Sequence, residues 1–330
     1  MANRWLFVGG DVGTVRNSAS DTITTSTYFD SAYSDCAIFC GDAGDSFIAD
    51  FIDSSGSSDA ATAGETLFVH VYWVEMQTAT TAGNAVWSLL NGSDQPWLSI
   101  RTTSTAGVYG FYYNSNTGAS PTWTLIGSTF TKASVGNAFD IKLTLGSPHD
   151  VELYTDAVLL RSTTFSNANL TSIDACKGER PTGADQAFSQ IMASVGINTI
   201  GGHVYTKRPE GAGSNSGMTG AYTDIDEVGI NDADILSSGT SGQRSTFAYA
   251  DLGSLPSGYA VGDVFLWTRA KNDGAAPANI KPVRRDSGST DNVGSALSGI
   301  GTGFVNLPTR YSGLTITEFN ASEFGVESST

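Results

Sequence analysis

Hydrophobic and polar residues alternate without a fault along Phe139-Asp140-Ile141-Lys142-Leu143-Thr144-Leu145, which predicts a strand with Phe139, Ile141, Leu143 and Leu145 on one buried face. A loop over 146–150 leads into Val151-Glu152-Leu153-Tyr154-Thr155, and a tight turn at Asp156 feeds Ala157-Val158-Leu159-Leu160-Arg161. The pattern is that of three antiparallel strands in a meander. Upstream, Thr66 to Val74 is a long β-branched and aromatic run, followed by shorter runs at Ala85–Leu90, Pro96–Thr102, Tyr109–Tyr113 and Trp123–Ile126, each bounded by Gly, Asn, Ser or Pro. Strands at this spacing, with no sustained helical period, predict an all-β, two-sheet sandwich. Only 185–194 could hold a short helix, and Phe188 to Ser194 reads equally well as a strand.

Between Lys207 and Ser216 the chain reads Lys-Arg-Pro-Glu-Gly-Ala-Gly-Ser-Asn-Ser, which predicts a linker with no regular element. The boundary therefore falls there: a sandwich over 1–206, a linker over 207–216 and a smaller β-domain over 217–330. Phe247, Val264, Leu266, Phe304 and Phe324 are the apolar anchors expected of the second domain.

Composition agrees with a turn-rich β protein, since Gly occurs 38 times and only 15 % of residues are charged. The net charge of −16 argues against nucleic acid as a partner, because like charge repels a phosphate backbone. Cys36, Cys40 and Cys176 form neither an even framework nor a CxxC pair, so buried reduced thiols are expected. The apolar run in Met1 to Gly10 is four residues long (Trp5 to Val8), too short for a signal-peptide core or a membrane span. The expectation is a chain that folds in the cytosol, with no membrane partner.

The run from Leu67 to Arg161, with its early aromatic strand, Phe139-Asp140-Ile141 and the Val151-Glu152-Leu153-Tyr154 hairpin, resembles the core of the concanavalin A-like (laminin G-like) jelly-roll proteins found among virion genes of tailed bacteriophages. Asp156 is followed here by Ala157, where that family's hairpin commonly turns on Asp-Gly. A second set is similar in order to such phage structural proteins: Gln190 to Ser194, Arg208 to Gly213, Met218-Thr219-Gly220, Ile225-Asp226-Glu227, Gly242 to Ser245 and the closing Ile316 to Glu327. The resemblance implies a concanavalin A-like sandwich followed by a second, smaller β-sandwich, a structural role on the exterior of a particle assembled in the host cytoplasm, and no catalytic residue.

A jelly-roll glucanase needs paired carboxylates in the spacing Glu-x-Asp-x-x-Glu, and the nearest match, Asp224-Ile225-Asp226-Glu227-Val228-Gly229, lacks the terminal acid. Asp224, Asp226, Asp232 and Asp234, with Glu227 and Asn231 nearby, offer oxygen ligands to calcium but not in the order of an EF-hand. His70, His149 and His203 are scattered, with no nucleophile motif beside them. Trp97, Tyr109, Tyr112, Tyr113 and Trp123 are candidate platforms for a sugar, and adjacent Tyr112 and Tyr113 must face opposite sides of their strand. The expectation is a non-enzymatic virion protein, tail- or fibre-associated or head-decorating, that contacts other virion proteins as a homo-oligomer, a trimer in a fibre or head-surface position and a ring in a tail position. Its alternative is a receptor-recognition module that binds a host surface glycan.

Overall fold

A computed structural model describes residues 3–17, 22–25, 28–53, 57–116, 120–132, 136–274, 277–297 and 300–330. The backbone gathers into two units, one of Met1–Asp53 and Ser58–Thr206, the other chiefly of Lys207–Thr330. Among the described residues no helix is long and apolar enough to cross a membrane.

In chain order the first unit contains β1 (Arg4–Gly9), β2 (Arg16–Asn17), β3 (Thr22–Thr24), β4 (Ala37–Cys40), β5 (Ser46–Asp50), β6 (Ala61–Thr62), β7 (Thr66–Glu75), β8 (Ala85–Leu90) and β9 (Pro96–Thr102). It continues with β10 (Val108–Asn114), β11 (Trp123–Leu125), β12 (Phe130–Thr131), β13 (Asn137–Thr144), β14 (His149–Thr155), β15 (Val158–Phe165), β16 (Ser172–Ile173), β17 (Ala175–Glu179) and β18 (Gln186–Val195). The first sheet runs β15-β14-β13-β7-β18-β4-β3, with β1 also on β18; the second runs β11-β10-β9-β8-β17-β5-β2, with β12 also on β10. All pairings are antiparallel.

The two sheets lie face to face, because aromatic side chains of one meet those of the other. Phe188 on β18 packs on Phe47 and Trp87 at ring distances of 5.4 and 5.8 Å, Trp73 on Tyr109 at 4.9 Å, and Phe139 on Phe130 at 6.0 Å. Phe139, Ile141, Leu143 and Leu145 are all buried, as their alternation predicts. At about 1.5–3 kcal/mol for each large apolar side chain removed from water, such a face commits β13 to the core.

The meander is formed by β13, β14 and β15, and its hairpin closes on Asp156-Ala157 between the paired Thr155 and Val158. Both turn residues have positive φ, +47° and +64°, the backbone of a type I′ turn. Asp156 supports it by accepting from the Ala138 amide at 2.9 Å and from Asn137 Nδ2 at 2.8 Å.

The ambiguous stretch at 185–194 is strand β18, in the middle of the first sheet and buried at every position. Its alternation is silent because both of its faces are covered. A bulge between Ser189 and Met192 leaves Gln190 at φ +51°.

The second unit contains β19 (Pro209–Ser216), β20 (Arg244–Tyr249), β21 (Asp263–Ala270), β22 (Asn279–Arg285), β23 (Asp291–Val293), β24 (Val305–Ser312), the short helix α1 (Ile316–Asn320) and β25 (Glu323–Ser329). Its five-stranded sheet, β19-β20-β25-β22-β23, is faced by the β21-β24 ribbon through Tyr311 on Phe324 at 5.2 Å, and by α1 through Phe319 on Phe324 at 5.7 Å. Phe247 and Phe324 are buried anchors, whereas Phe304 lies half-buried with Arg269 and Lys271 over its ring.

The expected linker is corrected here: 207–216 holds β19, an edge strand paired with β20 through two register shifts. Pro209 stands at its first residue, where a proline is tolerated. Gly213 lets the two backbones approach, since a Cβ there would lie 2.4 Å from the Thr246 carbonyl oxygen. The glycines that argued for a loop are what make this irregular pairing feasible.

Candidate binding face

Strand register brings together residues scattered over a hundred positions of sequence. Lys177 pairs with Ser88, Ser88 with Ser99, Ser99 with Tyr112 and Tyr112 with Leu125, a single row across β17, β8, β9, β10 and β11. At about 4.8 Å per strand the row spans about 19 Å. Trp87, Ile100 and Phe111 point the other way into the core, so the row lies on the outer face of the second sheet.

Next to it, Asn114 pairs with Trp123 and Gly110 with Arg101. The Arg101 guanidinium sits over the Trp123 ring, 4.5 Å from its centroid, and also donates to the Gly83 carbonyl. Gly110 leaves room for a neighbour, because a Cβ there would come within 2.5 Å of the Tyr112 ring. Burial lowers the pKa of Arg101, while the Glu179 carboxylate acts against that shift. Glu179 also holds Lys177 at 2.5 Å. Arg101, Tyr112, Trp123, Lys177 and Glu179 are all half-buried, with Ser88 and Ser99 joined beneath that level by a 3.0 Å hydrogen bond. Flat apolar rings beside fixed donors and a carboxylate suit a ligand with a C–H face and a rim of hydroxyls.

Of the five aromatic residues expected to form a platform, the fold leaves Tyr112 and Trp123 on this face. Tyr109 is 1 % exposed and points into the core, where its hydroxyl donates to Glu75 and burial drives its pKa far up. Tyr113 shares that inward parity and stacks on Phe165 at 4.4 Å. Trp97 stands on the outer side of β9 but is only 3 % exposed. Tyr109 and Trp97 thus present no ring face to solvent. Arg101 was missed in the sequence, although its odd position against inward Leu98 and Ile100 marks it as outward.

The acidic segment does not assemble a site. Asp224 accepts from the Ala221 amide at 2.8 Å, Asp232 is paired with Arg269 at 2.7 Å, and Asp234 accepts from Asn231. Among the described residues no group of three or more His, Cys, Asp or Glu side chains is placed to hold a metal ion. Of the four candidate calcium ligands, Asp224, Asp232 and Asp234 each answer a separate local partner, and none of the four joins such a group.

His70 and His203 belong to the opposite face. His70 Nδ1 lies 2.8 Å from Asp140 Oδ1 on the outer side of the first sheet, both residues fully buried. Segment 197–206 crosses them: the Gly201 amide donates to Asp140 at 3.4 Å, and Gln190 Oε1 takes His203 Nδ1 at 3.2 Å and the Val204 amide at 3.4 Å. His203 stacks on Tyr33 with ring centroids 3.7 Å apart. His149 is likewise buried, with Nε2 3.0 Å from the Asn167 carbonyl.

No protein-family model matches this chain, and no curated protein does. Solved structures similar to it include the T. cruzi calreticulin globular domain, at 9 % identity over 57 % of this chain and 87 % of that one, with a TM-score of 0.40. The botulinum neurotoxin serotype D binding domain is similar at 9 % identity over 54 % of this chain, which spans 42 % of that one, with a TM-score of 0.39. The receptor binding domain of botulinum neurotoxin D aligns at 10 % identity over 88 % and 76 % of the two chains, with a TM-score of 0.38. Likeness at this level carries no functional weight, and the sandwich stands on the pairing and packing of its own strands.

Proposed function

We propose that the first unit is a saccharide-recognition sandwich that binds through the outer face of its second sheet. Trp123 and Tyr112 supply the stacking surface; Arg101, Lys177 and Glu179 supply hydrogen bonds. The observation that carries this reading is the grouping of Arg101, Tyr112 and Trp123 on one face, each partly open to solvent. Binding rather than turnover suits that face: Asp50 and Asp94, neighbouring carboxylates on the second sheet, both engage Arg16, and the His70–Asp140 pair is enclosed elsewhere.

A glycan array probed with the full chain, with and without Ca²⁺, tests it. A hit that Trp123→Ala weakens at least tenfold, about 1.4 kcal/mol, supports the reading. An array without hits, or a hit that Trp123→Ala leaves unchanged, overturns it.

For its setting we keep the exterior of a phage particle, supported by the order of short motifs from Gln190 to Glu327. Mass spectrometry of purified particles tests that separately, and absence of the chain from them removes the setting without touching the binding face.

A further inference from the structure

The four edges of the sandwich are unequal. The second sheet ends on β11 and β2, three and two residues long; the first ends on β3, three residues, and on β15, eight residues, while the six-residue β1 beside β18 is bulged between Trp5 and Phe7 and accepts from the Ile52 amide at Leu6. Short edges offer little template for another strand, whereas β15, bulged against β14 at Leu160, runs regularly from Arg161 to Phe165 and offers about 17 Å of backbone at 3.4 Å per residue.

The same edge begins with Val158 and Leu159, 67 % and 51 % exposed, the most exposed large hydrophobic side chains among the described residues. Edge strands are commonly guarded by charge. The one charged residue of β15, Arg161, is turned aside, with its guanidinium donating to the Leu160, Ser128 and Thr129 carbonyls at 2.6, 2.6 and 2.7 Å. A chain of net charge −16 carries no Asp or Glu anywhere in this strand.

We propose that β15 pairs antiparallel with β15 of a second copy, joining the first sheets of two sandwiches across a two-fold axis. Charge selects this occupant. A basic partner finds no carboxylate on the strand, and an acidic one finds its only guanidinium engaged. A second copy brings an equally long edge without a carboxylate, so two highly acidic molecules meet along strands that add no like-charge repulsion. Antiparallel pairing of identical strands is isologous and closes as a dimer, in place of the trimer expected for a fibre or head-surface position. The inference does not depend on the saccharide face, which belongs to the other sheet.

Sedimentation velocity of the full chain across a concentration series tests the pairing. The wild type is expected to sediment as a dimer, and Val158→Lys with Leu159→Lys to weaken dimerisation at least tenfold. Both positions are exposed, so an unchanged circular dichroism spectrum and unfolding midpoint confirm that the variant folds. Single Ser162→Cys and Thr163→Cys variants locate the contact: a disulfide-linked dimer from either supports it, with little background because Cys36, Cys40 and Cys176 are buried. A wild type monomeric throughout, a dimer untouched by the two lysines, or a dimer that neither cysteine links overturns the proposal.

Discussion

On the outer face of the first sheet, His70 and Asp140 are fully buried under 197–206, whereas on the outer face of the second, Arg101, Tyr112 and Trp123 are half-exposed. Both faces are built from antiparallel strands that alternate in and out. They differ in whether the chain returns over these side chains; on the second sheet Trp97 is covered and Arg101, Tyr112 and Trp123 are not. Where it does, polar side chains on the covered face need partners inside the protein, and Asp140 and Gln190 serve both sheet and covering segment. Where it does not, long side chains settle over smaller neighbours and leave their rings and charged ends available.

Removing Asp140 should break this contrast most severely. Asp140→Ala leaves His70 Nδ1 without its acceptor and releases the Gly201 amide, so urea unfolding is expected to lose about 3 kcal/mol. Trp123→Ala on the open face should lose no more than about 1 kcal/mol in the same assay while abolishing saccharide binding. Equal losses would mean that the two faces are equally structural.

A smaller effect, of opposite sign, is expected at the hairpin. Ala157 holds φ +64°, a conformation costing about 1 kcal/mol for a residue with a Cβ, so Ala157→Gly should raise stability by about that amount. A neutral or destabilising result would show that the methyl group is worth more in contacts than in strain.

The smallest expected effect is pH dependence at the covering segment. Burial, with His70 nearby, lowers the pKa of His203 despite Asp30 and Asp140. The folded chain then binds that proton less readily than the unfolded chain, so this contribution is present at neutral pH and is lost as pH falls through the ordinary imidazole range. His203→Phe keeps a ring against Tyr33 and removes the titration. Unfolding midpoints measured between about pH 7.5 and 5 should fall less steeply than in the wild type; an unchanged slope would remove His203 as a source.

Much of the architecture was legible because it is local. Alternation at Phe139 to Leu145 gave the buried face of β13, and turn chemistry placed the hairpin at Asp156. Tyr112 and Tyr113 had to point apart, and they do. Other features were concealed for identifiable reasons. β18 hides its period because both faces are covered, and β19 reads as a loop because the glycines it needs to approach β20 are also the residues of linkers.

The sequence by itself determined most strand positions of the sandwich, the place of the tight turn and which residues share a face, since each follows from a two-residue period or a backbone preference spanning a few positions. Only the tertiary structure decided which face is open. That choice depends on a segment near residue 200 lying over His70 and Asp140, and on Arg101 reaching Trp123 through strand register. Alternation specifies two sides of a strand; long-range packing determines which side is left to water.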